Sequence, residues 1–111
     1  MIKVDSTSKT IFEGIGKMID AMVTDYGKGN TNERMFNEYK DGFKTIVGQK
    51  FIKITNNNGV KAFVVKADGG RFKMGDILKP ASWRAPAKNR ARGNVLEGNY
   101  AIQWTGPLYL R

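Results

Sequence analysis

The sequence predicts an α+β protein in which an N-terminal antiparallel helix pair packs on a small C-terminal antiparallel β-barrel-like sheet, SH3-like or OB-like. Two observations predict it. Apolar residues recur at three- and four-residue steps up to about residue 47, whereas short β-rich runs separated by turn residues follow from residue 50. A chain of 111 residues, 41% of them apolar, suits a single domain spanning 1–111, with a helical part (1–49) and a basic β part (50–111).

The first helix is predicted over residues 10–26. Thr10 and Glu13 have the spacing of a capping box, and Gly27 is placed where a helix would stop. Gly14 and Gly16 disfavour a helix, and we expect them to permit close packing near its start.

A second helix is predicted from residue 31 to about 47. Asn30 followed by Glu33 is typical of an N-terminal cap, and Gly48 stands where a C-terminal cap belongs. Gly42 offers an earlier end. The short connector between the two helices predicts an antiparallel pair.

A β-hairpin is predicted over residues 51–67, turning at Asn58-Gly59. A two-residue turn at that position pairs Ile52 with Val65 and Ile54 with Phe63, which places four large apolar side chains on one face. The other, wetter face carries Phe51, Lys53 and Lys66.

Further short strands and one long loop complete the prediction. Residues 80–93 contain two prolines and read as an exposed loop, and loops of this length tend to be functional or mobile. The predicted strands are Arg71–Met74, Asp76–Lys79, Asn94–Leu96, Asn99–Trp104 and an edge strand, Leu108–Leu110.

The charge of the chain is strongly asymmetric. Acidic and basic residues balance over residues 1–49, so the net charge of +9 belongs entirely to residues 50–111. Between Asp76 and Glu97 there is no acidic residue. A field of one sign on part of a small domain attracts a polyanion or an acidic partner.

The basic loop is the first candidate site, because arginine offers forked donors to phosphate and tryptophan can stack on an unpaired base. Its residues are Lys79, Trp83, Arg84, Lys88, Arg90 and Arg92. The alternative interpretation is a solvated loop with Trp83 folded into the core. The wetter hairpin face, with Phe51, Lys53 and Lys66, is a secondary candidate. The alternative, which we favour, is that the helices cover this face or that it is ordinary surface.

Several chemistries are excluded or disfavoured. The chain has neither cysteine nor histidine, so disulfides, cysteine- or histidine-based zinc sites and catalytic triads are excluded. We expect no metal, no cofactor and no enzymatic activity. Asp68 and Asp76 fall at predicted turns, and residues 69–76 lack the pattern of a P-loop. No membrane span or signal peptide is expected, which fits a cytoplasmic protein.

Four segments of the C-terminal third form a recognisable set: Gly75–Lys79, Trp83–Ala87, Ala91–Val95 and Trp104–Gly106. With them, the stretch from Phe72 to Leu110 resembles small uncharacterised proteins of large tailed bacteriophages. The resemblance brings no site or activity with it. It implies a setting in the bacterial host cytoplasm, where such proteins often act on host machinery or nucleic acid.

The leading hypothesis is a non-enzymatic module that binds nucleic acid through its phosphates. One alternative is a phage-encoded inhibitor that places the same cations on an acidic surface of a host protein. Another is a binder of a small phosphorylated ligand such as a nucleotide, with the glycine- and arginine-containing loops as an anion nest. The oligomeric state does not follow from the sequence.

Overall fold

The computed structural model describes residues 1–29, 32–57 and 59–108. In chain order the elements are β1 (Ile2–Val4), α1 (Ile11–Gly29), α2 (Glu33–Asp41), β2 (Phe43–Val47), β3 (Phe51–Asn56), β4 (Gly59–Val65), β5 (Ile77–Leu78), β6 (Tyr100–Gln103) and β7 (Gly106–Pro107). Predicted features that lie outside the described residues are the Asn30 cap, the helix start at residue 31, the Asn58 position of the hairpin turn and most of the last strand.

The fold is α+β, as predicted, but its strands form two antiparallel sheets and no closed barrel is found among the described residues. One sheet has the order β1-β6-β7 and the other the order β2-β3-β4-β5. The predicted barrel-like sheet is wrong because β1, which the sequence did not predict, pairs with β6 from Ile2 opposite Ile102 to Val4 opposite Tyr100. This pairing places β6 in a separate three-stranded sheet with β1 and β7.

Helix α1 begins with one of the two bonds of the predicted capping box, and the second is made by Lys9 in place of Thr10. The Glu13 N–H donates to the Thr10 hydroxyl at 3.1 Å, and the Glu13 carboxylate accepts from the Lys9 N–H at 3.2 Å. The predicted stop at Gly27 is wrong, because the helix continues to Gly29, three residues beyond the predicted end at Tyr26. It buries Met18 and Met22 against the strands.

The predicted second helix is wrong in its second half, because α2 ends at Asp41 and residues 43–47 form strand β2. Gly42 caps the helix, with its N–H directed at the Tyr39 carbonyl. The β-branched residues that follow suit a strand and gain backbone hydrogen bonds by pairing with β3, although residues 44–47 are exposed. Helices α1 and α2 touch through stacked rings of Tyr26 and Tyr39, 4.2 Å apart; their antiparallel arrangement stays a prediction.

The β3–β4 hairpin exists, but its register is shifted by one residue from the predicted one. Ile52 pairs with Val64 and Ile54 with Ala62, and a bulge follows between Ile54 and Thr55. The closing pair is Asn56 with Gly59, so the turn moves one residue toward the N-terminus. Tertiary contacts fix this position: the Asn57 N–H donates to the Gly42 carbonyl and the Asn56 side chain to the Tyr39 carbonyl.

The shifted register gives the four-stranded sheet two apolar faces. The inner face packs with α1 and the other sheet in the main core, which includes Met18, Ile54 and Ile102. The outer face carries a smaller group, which we call the outer cluster. It consists of the buried side chains of Phe63, Val65 and Leu78, with Phe51, Val60, Phe72 and Ala91 packed against them.

Two other predicted strands are absent from the described residues. In 71–74 only Phe72 is bridged, to Gly69, and in 94–96 only Asn94, to Asp76. Turns occupy the rest because side chains compete for the backbone groups: the Asp68 carboxylate accepts from the Met74 N–H at 2.7 Å, and the Asn94 side chain accepts from the N–H groups of Leu96 and Glu97.

Candidate functional site

The long basic loop follows strand β5 and is held in place by backbone hydrogen bonds. At its base the Ile77 N–H donates to the Gly93 carbonyl at 2.9 Å, and the Arg92 N–H donates to the Ile77 carbonyl at 2.8 Å. Further out, the Ala87 N–H donates to the Lys79 carbonyl at 2.7 Å. Backbone hydrogen bonds therefore fix where the loop leaves and rejoins the domain.

The tip of the loop is a tight turn built around Ser82. Its hydroxyl accepts from the N–H groups of Arg84 and Ala85, and the Ala81 N–H donates to the Ala85 carbonyl at 3.0 Å. The turn leaves Trp83 49% exposed and outside both groups of buried side chains. Of the two interpretations left open by the sequence, the core position for Trp83 is wrong.

The loop tip lies against the outer face of the four-stranded sheet. The Lys53 ammonium group lies 4.7 Å from the centre of the Trp83 ring, and that of Lys88 lies 5.6 Å from the centre of the Phe51 ring. Both distances are within the range of cation–π attraction. The two candidate surfaces that the sequence analysis treated separately therefore form one surface.

A groove and a cleft run side by side on this surface. The groove, of about 280 Å³, lies between Arg84 at the loop tip and strand residues that include Lys53 and Phe63. The cleft is larger, about 600 Å³, and lies between Phe51 and the turn at residues 67–72. Gln49, Lys50 and Phe51 line both.

Arg71 belongs to this surface and was not singled out by the sequence analysis. It lines the cleft, and its guanidinium group donates to the carbonyls of Lys88 and Asn89, the latter at 2.9 Å. These bonds connect the 67–72 turn to the basic loop. Its position in a charged, glycine-rich turn was the available signal, but nothing in the sequence indicates which loop it reaches.

The remaining predicted residues of the loop lie away from the groove and the cleft. Arg92 is used to hold the chain together, because its guanidinium group donates to the carbonyls of Leu108 and Arg90 and to the Asn89 side chain. Arg90 is exposed. Lys79 is half-buried; burial lowers its pKa, and the charge of Arg92 lowers that pKa further.

Lys66, the third residue of the secondary candidate, also has a structural contact. Its ammonium group donates to the Gly48 carbonyl at 3.2 Å, next to the β2–β3 turn. Of the secondary candidate residues, Phe51 and Lys53 therefore line the groove, and Phe51 also lines the cleft. Lys66 instead bonds to the backbone beside them.

The three acids of the basic half are engaged elsewhere and leave the loop cations uncompensated. The Asp68 carboxylate bonds within its turn, Asp76 is buried and bonded to the Lys73 N–H and Asn94, and Glu97 pairs with Lys73. Within residues 1–29, 32–57 and 59–108, no ion pair involves the loop's arginines or Lys88.

The described part of the chain lacks two further features. It contains no group of three or more acidic side chains that could hold a metal ion. It also contains no helix long and apolar enough to cross a membrane.

Comparison with known proteins gives one match. A family model described as "Family of unknown function (DUF7717)" matches residues 3–110. No curated protein and no solved structure matches the chain. The description names no activity, partner or source, so the binding hypotheses and the resemblance to phage proteins stay predictions.

Proposed function

The chain belongs to the DUF7717 family, and we propose that it is a non-enzymatic module that binds nucleic acid on the surface formed by its basic loop and the outer face of β3 and β4. The supporting observation is the way cations and aromatic rings alternate there. Lys53 lies over Trp83 and Lys88 over Phe51, and Arg84 faces them across the groove.

The charges on this surface are available to a ligand. Arg84 and Lys88 are exposed and take part in no ion pair within the described ranges. The two acids that flank them along the chain are engaged, because Asp76 is buried and Glu97 pairs with Lys73. Cations that do not compensate acids in the free protein can neutralise phosphates directly. Each phosphate contact releases condensed counterions, which makes the affinity fall with added salt.

The proposal is tested by titrating a labelled oligonucleotide at several salt concentrations. If about four phosphates are neutralised, log K should fall against log salt with a slope of roughly −3 to −4. The double variant Arg84→Gln with Lys88→Gln should reduce the size of that slope by about 2 and weaken binding equally for different sequences.

The matched control removes two charges from the helical half. Lys9 and Lys40 are exposed residues, and the double variant Lys9→Gln with Lys40→Gln lowers the net charge by the same amount. It should leave the slope unchanged. Absence of binding at low salt, a flat salt dependence, or equal effects of the two double variants would contradict the proposal. So would capture of an acidic protein that resists nuclease treatment and competitor DNA.

A further inference from the structure

The cleft beside the basic loop has the composition of a nucleotide site. Two aromatic rings, Phe51 from β3 and Phe72 from the following turn, line it together with Val65. Lys50, Arg71 and Lys88 are exposed cations among the other lining residues. Pockets that bind nucleotides and similar ligands combine apolar and aromatic walls with a few polar groups that fix the orientation.

Each ring of the cleft already has a cation beside it. The Lys88 ammonium group lies 5.6 Å from the centre of the Phe51 ring, and the Arg71 guanidinium carbon lies 5.4 Å from the centre of the Phe72 ring. Both cations lie over the rings, so a base that stacks on either ring takes the place of the cation there and brings its own phosphate near that positive charge. This coupling of stacking with charge is how proteins hold single-stranded nucleic acid.

The volume limits how much of a ligand can enter. About 600 Å³ accommodates a ligand of nucleotide size, and the cleft is bounded by backbone that other contacts hold in place. The turn is tied to the basic loop through Arg71, whose guanidinium group donates to the carbonyls of Lys88 and Asn89. Bases in a duplex present only their edges, so an aromatic wall can be used only by a base that is unpaired.

We infer that the cleft between Phe51 and Phe72 binds one unpaired base of a nucleic-acid strand, with Lys50, Arg71 and Lys88 contacting the adjoining phosphates. The inference rests on the proposed function and makes it more specific, because it selects single strands over duplexes. The one carboxylate that lines the cleft, Asp68, is bonded to the Met74 N–H. RNA and DNA single strands share the chemistry used here.

The test measures the affinity of the full chain for one oligonucleotide as single-stranded DNA, single-stranded RNA and duplex DNA at the same salt concentration. The single strands carry 2-aminopurine, whose fluorescence changes when it stacks on an aromatic ring. The variant Phe72→Leu keeps an apolar side chain in the outer cluster but removes the flat ring. Phe12→Leu, on an exposed position of α1, is the control.

We expect a single strand of at least one of the two polymers to bind more tightly than the duplex and to change the 2-aminopurine fluorescence. Phe72→Leu should weaken single-strand binding by about 5- to 30-fold, leave duplex binding unchanged and leave the salt slope unchanged, because stacking is lost and no phosphate contact is. Phe51→Leu repeats the test from the other wall if Phe72→Leu does not fold.

Two negative outcomes are distinguishable. Equal binding of single strand and duplex, with no fluorescence change and no effect of a folded Phe72→Leu or Phe51→Leu variant, overturns the inference and leaves the proposed function standing. Absence of binding to all three oligonucleotides at low salt overturns the proposed function itself.

Discussion

The backbone carbonyl of Val95 lies so close to Gly14 that a Cβ atom on Gly14 would come within 2.4 Å of the carbonyl oxygen. Helix α1 reaches this close approach in its first turns, where the sequence led us to expect close packing at two glycines. Gly16, the other one, would gain a Cβ atom with no neighbour within 4 Å among the described residues. Gly14 therefore has no room for a side chain, whereas Gly16 does.

Gly14→Ala should destabilise the protein and Gly16→Ala should stabilise it. Overpacking against a backbone atom typically costs about 1–3 kcal/mol in the free energy of unfolding. An alanine in an open helical position gains about 0.5–1 kcal/mol relative to glycine. Urea denaturation of both variants measures the difference; equal shifts of the two midpoints would mean that α1 does not approach Val95.

The side chain of Asn94 holds together the base of the basic loop. Its amide nitrogen donates to the Met74 carbonyl and the Asp76 carboxylate, each at 3.0 Å, while its oxygen accepts from the N–H groups of Leu96 and Glu97. Asn94 and Asp76 are both buried. This one side chain therefore satisfies four polar groups, one of which is the buried Asp76 carboxylate.

Asn94→Ala should lower the free energy of unfolding by about 2–4 kcal/mol, because it removes four hydrogen bonds, one of them to the buried Asp76 carboxylate. Asn37→Ala, at an exposed helical position, is the matched control and should change stability by no more than about 0.5 kcal/mol. Thermal unfolding of both variants checks this, and a loss for Asn94→Ala no larger than that of the control would rule out the network.

Two buried tyrosines differ in what their hydroxyl groups do. The Tyr39 hydroxyl donates to the Trp104 carbonyl at 2.6 Å. The buried Tyr100 hydroxyl has no hydrogen-bond partner within the described part of the chain. Tyr39→Phe should therefore destabilise the protein by about 1 kcal/mol, whereas Tyr100→Phe should be neutral or stabilising. Chemical denaturation at pH 7 compares them, and a larger loss for Tyr100→Phe would contradict the assignment.

The same tyrosines make stability fall at alkaline pH. Burial raises the pKa of Tyr100 to about 12, and burial, followed by the charges of Asp25 and Tyr26, raises the pKa of Tyr39 as well. Unfolded tyrosine ionises near pH 10, so the unfolded state releases its proton first. The stabilisation is complete below that pH and is lost as pH rises toward 12. Tyr100→Phe should reduce the loss between pH 10 and 12, which denaturation curves across that range measure.

The sequence predicted the start of helix α1 better than the point after α2 where helix changes into strand. Thr10 and Glu13 specify a helix start locally, and the Glu13 N–H donates to the Thr10 hydroxyl as that pattern predicts. Residues 43–47 fit a helical or a strand period equally well, because the run is short. Their pairing with β3 decides between the two, and that pairing partner lies outside any local window.

The hairpin register likewise depends on contacts that are distant in the sequence. A strong turn signal at Asn58-Gly59 predicted one alignment, but Asn56 and Asn57 bond to the end of α2, and the turn moves by one residue. Because side chains alternate along a strand, this single step brings Phe63 and Val65 to the face of Phe51 and Lys53. The outer cluster and the cleft follow from a contact that no local pattern contains.

For the candidate site, the composition of the sequence predicted which region is basic. It did not predict which side chains of that region face the common surface. Trp83, Arg84, Lys88, Phe51 and Lys53 line or face a common surface, whereas Arg92 and Lys66 bond to backbone carbonyls. Charge density alone cannot separate these roles, because a guanidinium group can bind a phosphate or a carbonyl with the same donors. Only the position of the acceptor distinguishes them.

Phe51 and Phe72 line the cleft and also pack on the outer cluster, so selectivity and folding depend on the same side chains. A substitution that reshaped the walls for another ligand would also loosen the contact between the turn and the sheet. The exposed side chains of Lys50 and Lys88 carry no such constraint, whereas Arg71 also ties the turn to the basic loop. We therefore expect relatives with different ligands to differ first at Lys50 and Lys88, and to keep large apolar residues in the walls.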